Sequence, residues 1–307
     1  MRAEAASRAF LSHSLSLVTD PFVTHRSLLF TVAYEMLGSA VDAEDVVQET
    51  WLRWVDVDQT EVRDPRAYLV RMVTRQALNR VRTLARRRED YVGEWLPEPV
   101  LTSPDIADDL VLAESVSMAM LTVLETLEPT GRAVFVLREV FEMPYEEIAQ
   151  AVDKTPAAVR QIAHRAREHV AARRPRVQVS PTEQQAAVER FLAALHSGDI
   201  QGLIDVLAPD VVMAADGGGR VAAIREPVQG AERVGRLLSG FAKVSPGAEV
   251  RMVWVNGAPA LRIDLYGKLD TVISVSVEDG RIARIYAVRN PEKLSLVRAE
   301  MQLSRIE

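Results

Sequence analysis

Two stretches of the chain are unusually rich in arginine. Residues 63–88 hold nine arginines and a single acidic residue, Asp64. Residues 154–176 hold seven lysines and arginines, two histidines and a single acidic residue, Glu168. The net charge of the whole chain is nevertheless −6, so the positive charge is concentrated in these two places. Dense guanidinium groups bind phosphates, and basic stripes on an otherwise acidic protein predict a long anionic partner.

Other kinds of chemistry have little support in the residue types. The chain has no cysteine, which excludes disulfides, thiolate metal sites and cysteine nucleophiles and fits a reducing, cytoplasmic compartment. None of the five histidines lies at metal-ligand spacing from another. The acid–base candidates are Asp210, Asp216, His196 and Arg225, and they include no convincing pair of carboxylates. We therefore expect no catalytic residue, no metal, no cofactor and no enzymatic activity.

Membrane insertion and export are also not expected. No apolar run approaches the ~20 residues of a membrane span. Residues 1–19 contain a weakly apolar patch, but four serines and a histidine interrupt it too often for a signal peptide.

Three amphipathic helices are predicted in the first part of the chain. Apolar residues recur with the helical period in residues 22–37, 42–55 and 65–88. Asp42 has the character of a helix N-cap, and Asp64 followed by Pro65 is a second start signal. Three such helices form one small bundle.

A helix-turn-helix pattern covers residues 144–168. Pro144 opens a short helix, and a tight turn follows at Asp153 and Lys154. Thr155 then caps a second helix that begins with Pro156. Such a second helix enters the DNA major groove, where arginine pairs with guanine and glutamine with adenine. The candidate DNA-reading residues are Lys154, Thr155, Ala157, Arg160, Gln161, His164 and Arg165.

Residues 144–168 also fit a second interpretation. A helical hairpin with a solvated basic face would show a similar pattern. Four further arginines are expected to touch phosphates, which position a protein without specifying sequence. They are Arg167, Arg173, Arg174 and Arg176.

The remaining segments predict a linker and an α+β domain. Residues 91–110 contain three prolines, Tyr91 and Trp95, so the segment is either a linker that docks on a surface or a plain tether. Residues 181–198 predict another amphipathic helix. Four strands follow at 250–255, 260–266, 271–277 and 281–288, with a hairpin at Asp279-Gly280. Helices followed by a curved antiparallel sheet are typical of an α+β fold.

Several motifs resemble those of a known family. The segments DAEDVVQETWLRW and DPRAYLVRMVTRQALNRVR are similar to region 2 of extracytoplasmic-function (ECF) sigma factors, and LEPTGRAVFVLREVFEMPYEEIAQAVDKTPAAVRQIAHRARE is similar to their region 4. The motifs WLPEP, DGGGR and NPEKL resemble the signatures of a subgroup with a C-terminal SnoaL-like domain. Arg220 stands where that subgroup usually has lysine, and Arg75 and Asn79 stand where the wider family often has asparagine and aspartate.

The resemblance implies a multidomain protein with two all-α domains and a C-terminal α+β cone of the NTF2-like (SnoaL-like) type. The region 2 domain would span residues 1–90, with the first ~20 disordered. A linker would follow at 91–110, then the region 4 domain at 111–176 and the SnoaL-like domain at 177–307.

The resemblance further implies an alternative sigma factor that binds core RNA polymerase and directs it to promoters. Region 4 would read the −35 element and region 2 would open the −10 element, where displaced bases need cationic and stacking groups. The −10 candidates are Arg66, Tyr68, Arg71, Arg75, Asn79, Arg80 and Arg82, and Tyr68 is equally suited to a core position. The core-binding candidates are Asp42, Glu44, Asp45, Val47, Glu49 and Trp51. A solvated acidic face is the alternative for this last set.

The C-terminal domain is expected to regulate the rest by docking on the linker. Three consecutive glycines permit positive φ and close backbone approach, which suits a loop that receives a peptide. The interdomain candidates are Trp95, Leu96, Pro97, Glu98, Pro99, Asp216, Gly217, Gly218, Gly219, Arg220, Asn290, Pro291 and Lys293. The expected partners are core RNA polymerase, promoter DNA and a small molecule in a C-terminal pocket, with no membrane. A free-standing helix-turn-helix regulator fused to a small-molecule-binding or enzymatic domain is the alternative function.

Overall fold

A computed structural model describes residues 20–89, 91–174, 179–244 and 247–305. The expectation of disorder near the N-terminus concerns residues 1–19, which lie outside the described residues. Three helices form the first bundle, α1 (Pro21–Leu37), α2 (Ala40–Trp54) and α3 (Pro65–Glu89). The αL conformation of Gly38, with φ of 65°, turns the chain between α1 and α2.

Four short helices and one longer helix make up the described part of the second helical region. They are α4 (Leu110–Ser115), α5 (Met118–Leu124), α6 (Pro129–Phe135), α7 (Tyr145–Val152) and α8 (Pro156–Ala171), with a π-helical turn at Val136–Val140. Buried residues of both helical regions form one continuous cluster, which includes Trp54, Leu69, Phe135 and Ile148. The two regions therefore pack against each other through a shared core.

The C-terminal region combines three helices with a six-stranded sheet. The helices are α9 (Pro181–Ser197), α10 (Ile200–Val206) and α11 (Ala231–Val244). The strands are β1 (Leu207–Asp216), β2 (Val228–Gln229), β3 (Ala248–Val255), β4 (Ala258–Leu265), β5 (Lys268–Glu278) and β6 (Arg281–Val288), in the order β2-β1-β6-β5-β4-β3.

The two faces of this sheet have different neighbours. One face packs on the helices around Phe191, which is fully buried. The other face carries a separate apolar cluster that includes Leu96 of the linker and Met118 of α5. The outer face of the sheet therefore meets the helical part of the molecule.

Some local predictions need correction. Ser39, not Asp42, caps α2, since the Ser39 side chain accepts a hydrogen bond from the Asp42 N–H at 3.1 Å. The sheet is mixed rather than antiparallel, because β6 returns beside β1 in the same direction after the β3–β5 meander. The predicted helix ending at Gly198 and the hairpin at Asp279-Gly280 are confirmed.

Candidate functional site

The predicted recognition helix has the expected geometry. Asp153 adopts a left-handed φ of 54°, which makes the tight turn after α7. Thr155 accepts a hydrogen bond from the Ala158 N–H at 3.2 Å and so caps α8. All seven candidate DNA-reading residues are exposed. The opposite face of α8 is buried through Val159, Ala163, Ala166 and Val170. Of the predicted phosphate contacts, Arg176 lies outside the described residues.

The candidate −10 residues lie along α3, and two of them face the helix-turn-helix. Arg71 donates a hydrogen bond to the Gln150 side chain at 2.9 Å, and Arg75 donates one to the Gln150 carbonyl at 2.8 Å. Tyr68 is half-buried between the ring of Trp54 and the guanidinium of Arg71. The helix-turn-helix therefore covers part of the α3 surface.

The remaining −10 candidates differ in their surroundings. Asn79 and Arg82 are exposed, and Arg66 is half-buried. Arg80 is bound to Asp42 at 2.6 Å and to Asp45 at 3.0 Å, so it joins α3 to the acidic face of α2.

The candidate core-binding face of α2 needs one correction. Val47 is only 1% exposed and lies in the bundle core, so it is not accessible to a partner. Trp51 is half-buried against the Phe22 ring. The exposed apolar side chains of this helix surface are instead Val41, Leu52 and Val55, and Leu52 is 64% exposed.

The acidic candidates border that surface. Asp45 and Glu49 are exposed, although Asp45 also pairs with Arg80, and Glu44 is paired with Arg26. The helical period alone placed Val47 on the same face of α2 as the acidic residues. Which residues of α2 face the solvent depends, however, on how this helix packs on α1 and α3.

Asp216, at the end of β1, lies at the centre of the predicted interdomain contact. Its carboxylate is fully buried. One oxygen accepts hydrogen bonds from the Tyr91 hydroxyl at 2.5 Å and the Gly218 N–H at 3.0 Å. The other accepts from the Leu96 N–H at 2.9 Å and from Lys293 Nζ at 2.7 Å. A single carboxylate thus joins the linker, the glycine loop and the C-terminal tail.

Lys293 supplies the positive charge of this contact. Its ammonium also donates a hydrogen bond to the Leu96 carbonyl and lies 3.8 Å from the centre of the Trp95 ring. Burial, with the Asp216 carboxylate next in importance, raises the pKa of Tyr91, so its hydroxyl keeps its proton and donates to Asp216. The proximity of linker, loop and tail predicted from the sequence is therefore present in the structure.

The glycine loop fits closely around the tail. Gly218 has a φ of +60°, and a Cβ added there would lie 2.3 Å from the Asn290 side-chain nitrogen. The same Asn290 nitrogen donates to the Tyr91 hydroxyl at 2.9 Å. Arg220 and Pro291 are exposed, and Arg220 pairs with the exposed Glu292 at the surface.

The second half of the linker is bound to the first helical bundle. The Glu98 carboxylate accepts hydrogen bonds from the Ala40 N–H at 2.8 Å, the Val41 N–H at 3.1 Å and the Ser39 hydroxyl at 2.9 Å. It therefore sits at the N-terminus of α2, where the helix dipole favours an anion. Pro97 and Pro99 on either side are buried.

Asn256, in the turn between β3 and β4, connects three parts of the chain. Its side-chain nitrogen donates to the Tyr34 hydroxyl at 2.6 Å and to the Val116 carbonyl at 2.8 Å. Its side-chain oxygen accepts from the Val100 N–H at 3.1 Å. Sequence analysis missed this residue, although an Asn-Gly pair between two apolar runs signals a turn.

The described residues offer little for catalysis or metal binding. No group of three or more histidine, aspartate or glutamate side chains among them could hold a metal ion. Asp216, one of the acid–base candidates, is fully occupied by its interdomain partners. Within the same residues, no helix has both the length and the apolar character needed to cross a bilayer.

A helical bundle with a basic third helix, followed by a helix-turn-helix, is typical of a DNA-binding class of protein. The family models for sigma-70 region 2 and sigma-70 region 4 match residues 22–87 and 117–170. The ECF RNA polymerase sigma factor SigJ of Mycobacterium tuberculosis is 36% identical over 288 residues, which cover 89% of this chain and 92% of that protein. This chain belongs to the family of ECF RNA polymerase sigma factors.

Two further comparisons agree. The probable ECF RNA polymerase sigma factor SigI of Mycobacterium tuberculosis is 32% identical over 288 residues, covering 92% of this chain and 97% of that protein. The crystal structure of SigJ from the same organism superposes with a TM-score of 0.73 at 32% identity and covers 90% of this chain and 97% of that one. The sequence-based expectation of an ECF sigma factor with a C-terminal α+β domain is confirmed.

Proposed function

We propose that this alternative sigma factor regulates its own promoter recognition through the docked linker. In this proposal α8 reads the −35 element, α3 holds the opened −10 element, and α2 binds core RNA polymerase in the cytoplasm. The C-terminal domain, residues 177–307, acts as a regulator and not as an enzyme. The observation that carries the proposal is the fully buried Asp216, which bonds to both Leu96 of the linker and Lys293 of the tail.

Distance supports a regulatory role for this contact. The −10 and −35 elements are separated by about 25 base pairs, which span roughly 80 Å of duplex at about 3.4 Å per pair. In the structure α3 and α7 touch through Arg71 and Gln150. The two DNA-binding surfaces must therefore separate before both elements can be bound.

Once released, the linker can span most of that distance, and the length of α3 itself, 25 residues, can supply the rest. The chain between the end of α3 and the start of α4 could reach roughly 70 Å if fully extended. In the docked state Leu96 and Val100 are buried, at 2% and 0% exposure, and hold the linker in place. The C-terminal domain would thus set the spacing of the two DNA-binding domains.

The first experiment is transcription in vitro with purified core polymerase and a pool of genomic promoters. The full chain is compared with a chain truncated after Arg176. Transcripts that depend on the added protein are expected, and their level should differ between the two forms. Equal transcription by the full and truncated chains would contradict regulation by the C-terminal domain.

A point substitution gives a sharper test of the docked contact. Gly218→Ala would force a Cβ against Asn290 at a positive φ. Gly267→Ala is the matched control, because Gly267 also has a positive φ, +74°, but nothing lies within 4 Å of an added Cβ. Only Gly218→Ala should change promoter activity. If both variants change promoter activity by the same amount, backbone strain alone explains the effect and the docked contact is not its cause.

A further inference from the structure

A cavity lies where the outer face of the sheet meets the region 4 helices. Its volume is about 370 Å³, within the range of small-molecule sites. Its walls come from α4 and α5, from the β3–β4 turn, from β5, and from residues 179–180 just before α9. The cavity is therefore shared by the C-terminal domain and the DNA-binding part of the molecule.

The cavity wall contains a buried polar atom with no partner. Ser274, in β5, is 8% exposed, and its hydroxyl makes no hydrogen bond within the described part of the chain. A buried hydroxyl without a partner is costly, and most such groups bind a protein atom, a water or a ligand. Ser274 is directly opposite Ala260 and Tyr286 in the sheet, so its backbone position is fixed by two neighbouring strands.

The rest of the wall is mainly apolar. Met118, Ala119, Val255 and Pro259 line it beside Ser274. Among the residues that the structure describes, two charged side chains line the cavity, and these two, Glu114 and Arg174, form an ion pair with each other. Their charges compensate each other, so the cavity favours a molecule without net charge.

We propose that this cavity binds a small, uncharged, mostly apolar molecule whose hydroxyl or carbonyl group pairs with Ser274. This inference deepens the proposed function, on which it rests, by adding a ligand at the face where the C-terminal domain meets region 4. The site is distinct from the interior of the C-terminal domain, which Phe191, Leu203 and Val211 fill with full burial.

A ligand there would connect the sheet to the end of the recognition helix. Arg174 follows α8, and its ion pair with Glu114 of α4 lies in the cavity lining. Occupation would bridge Ser274 of the C-terminal domain and Ala119 of α5. Binding would therefore stabilise the docked arrangement over the open one.

The test uses two aromatic probes that differ in a single polar group, β-naphthol and β-methylnaphthalene. Their dissociation constants for the full-length chain are measured by equilibrium dialysis. One hydrogen bond to Ser274 predicts that naphthol binds about fivefold more tightly than methylnaphthalene. Ser274→Ala should abolish this preference and leave the affinity for methylnaphthalene nearly unchanged. Ser295→Ala, at an exposed position of the tail, serves as the matched control and should keep the preference.

A second variant tests the location of the site. Ala119→Phe would place a ring in the cavity and should abolish binding of both probes. Loss of binding by Ala119→Phe supports the site only if the circular dichroism spectrum of this variant matches that of the unsubstituted chain. If Ala119→Phe does not fold, the result with Ser274→Ala decides whether the site is correct. Absence of naphthol binding by the full chain, or an unchanged naphthol preference in Ser274→Ala, would overturn the inference.

Transcription by the same preparations separates this inference from the proposed function. If naphthol does not bind but Gly218→Ala still alters promoter activity, the ligand site is wrong and regulation by docking stands. If the probes bind as expected but Gly218→Ala and the truncation leave transcription unchanged, regulation by docking is wrong.

Discussion

At the scale of single residues, the Asp216–Lys293 pair is the most sensitive point of the docked contact. Both side chains are buried, with exposures of 0% and 7%. Lys293→Met would leave the Asp216 carboxylate buried without a counter-charge, which typically costs about 3 kcal/mol or more. Urea unfolding of the full chain should therefore show a clear loss of stability in the C-terminal region. If Lys293→Met unfolds at the same urea concentration as the original chain, the contact between Asp216 and Lys293 is not tightly closed.

The neighbouring ion pair provides a control for that measurement. Arg220 and Glu292 also join the glycine loop to the tail, but their side chains are 58% and 65% exposed. Exposed pairs of this kind contribute about 0–1 kcal/mol. Arg220→Ala should therefore leave unfolding almost unchanged. The double variant Asp216→Asn with Lys293→Met should recover part of the loss, since no unpaired charge then remains.

Glu35 of α1 predicts a pH dependence of stability. Burial raises the pKa of its carboxyl from 4.5 to about 8, although Ser115 and Arg132 oppose the shift. As the pH rises above 4.5 the unfolded chain loses this proton, while the folded chain keeps it up to a pH of about 8. The contribution of Glu35 is therefore fully present below pH 4.5 and declines until the pH reaches about 8.

Replacement of this carboxyl tests the pH dependence directly. Glu35→Gln removes the titrating group and retains a partner for the Ser115 hydroxyl, which donates to Glu35 at 2.8 Å. The variant should gain stability relative to the original chain as the pH rises towards 8. Thermal melts across this pH range provide the measurement. If the melting temperatures of the two proteins change with pH in parallel, the raised pKa of Glu35 is refuted.

At the scale of elements, α8 and the residues just after it present two kinds of candidate DNA contact. Gln161 is exposed near the N-terminal half of the helix, where base edges are read, whereas Arg173 follows its C-terminus. Gln161→Ala should change the preference among −35 sequences, with a cost of about 1–3 kcal/mol at the best site. Arg173→Ala should weaken binding by a similar factor on every sequence.

Holoenzyme binding to a panel of −35 variants distinguishes these two effects. The same panel measured at several salt concentrations should show a shallower salt dependence for Arg173→Ala, because one phosphate contact is lost. A uniform loss of affinity with Gln161→Ala would place that side chain on the backbone and not on a base.

At the scale of the whole molecule, the compact arrangement must open on the promoter. The chain has no cysteine, so a pair of labels is easily placed with Thr83→Cys on α3 and Glu168→Cys on α8, both at exposed positions. Energy transfer between the labels should be high in the free protein. It should fall when core polymerase and promoter DNA are added, because the bound elements lie roughly 80 Å apart.

A second label pair controls for changes in the dyes. Glu189→Cys and Asp279→Cys are both at exposed positions of the C-terminal domain. Their energy transfer should stay constant through the same titration. Persistent high transfer between α3 and α8 in the promoter complex would exclude the opening that the proposed function requires.

Local signals in the sequence were enough to predict the three helices of the first bundle, the helix-turn-helix and α9. Each of these signals involves residues within one or two helical turns of one another. Examples are the cap at Thr155, the helical spacing of Val159 and Ala163, and the closely spaced arginines of residues 63–88. Such short-range patterns predict the type of element directly. The strands β1 and β2 were missed, because Pro209 and Asp210 interrupt the alternation of the first and the second has only two residues.

The family and the domain order were thus determined by the sequence, while the tertiary structure decided which residues meet. The sequence predicted that linker, glycine loop and tail would dock, but it could not predict that Asp216 receives four hydrogen bonds from them. It placed Val47 on a binding surface, whereas packing buries Val47 and exposes Leu52. The physical reason is that contacts between residues far apart in the chain depend on the packing of whole elements, which local periodicity does not specify.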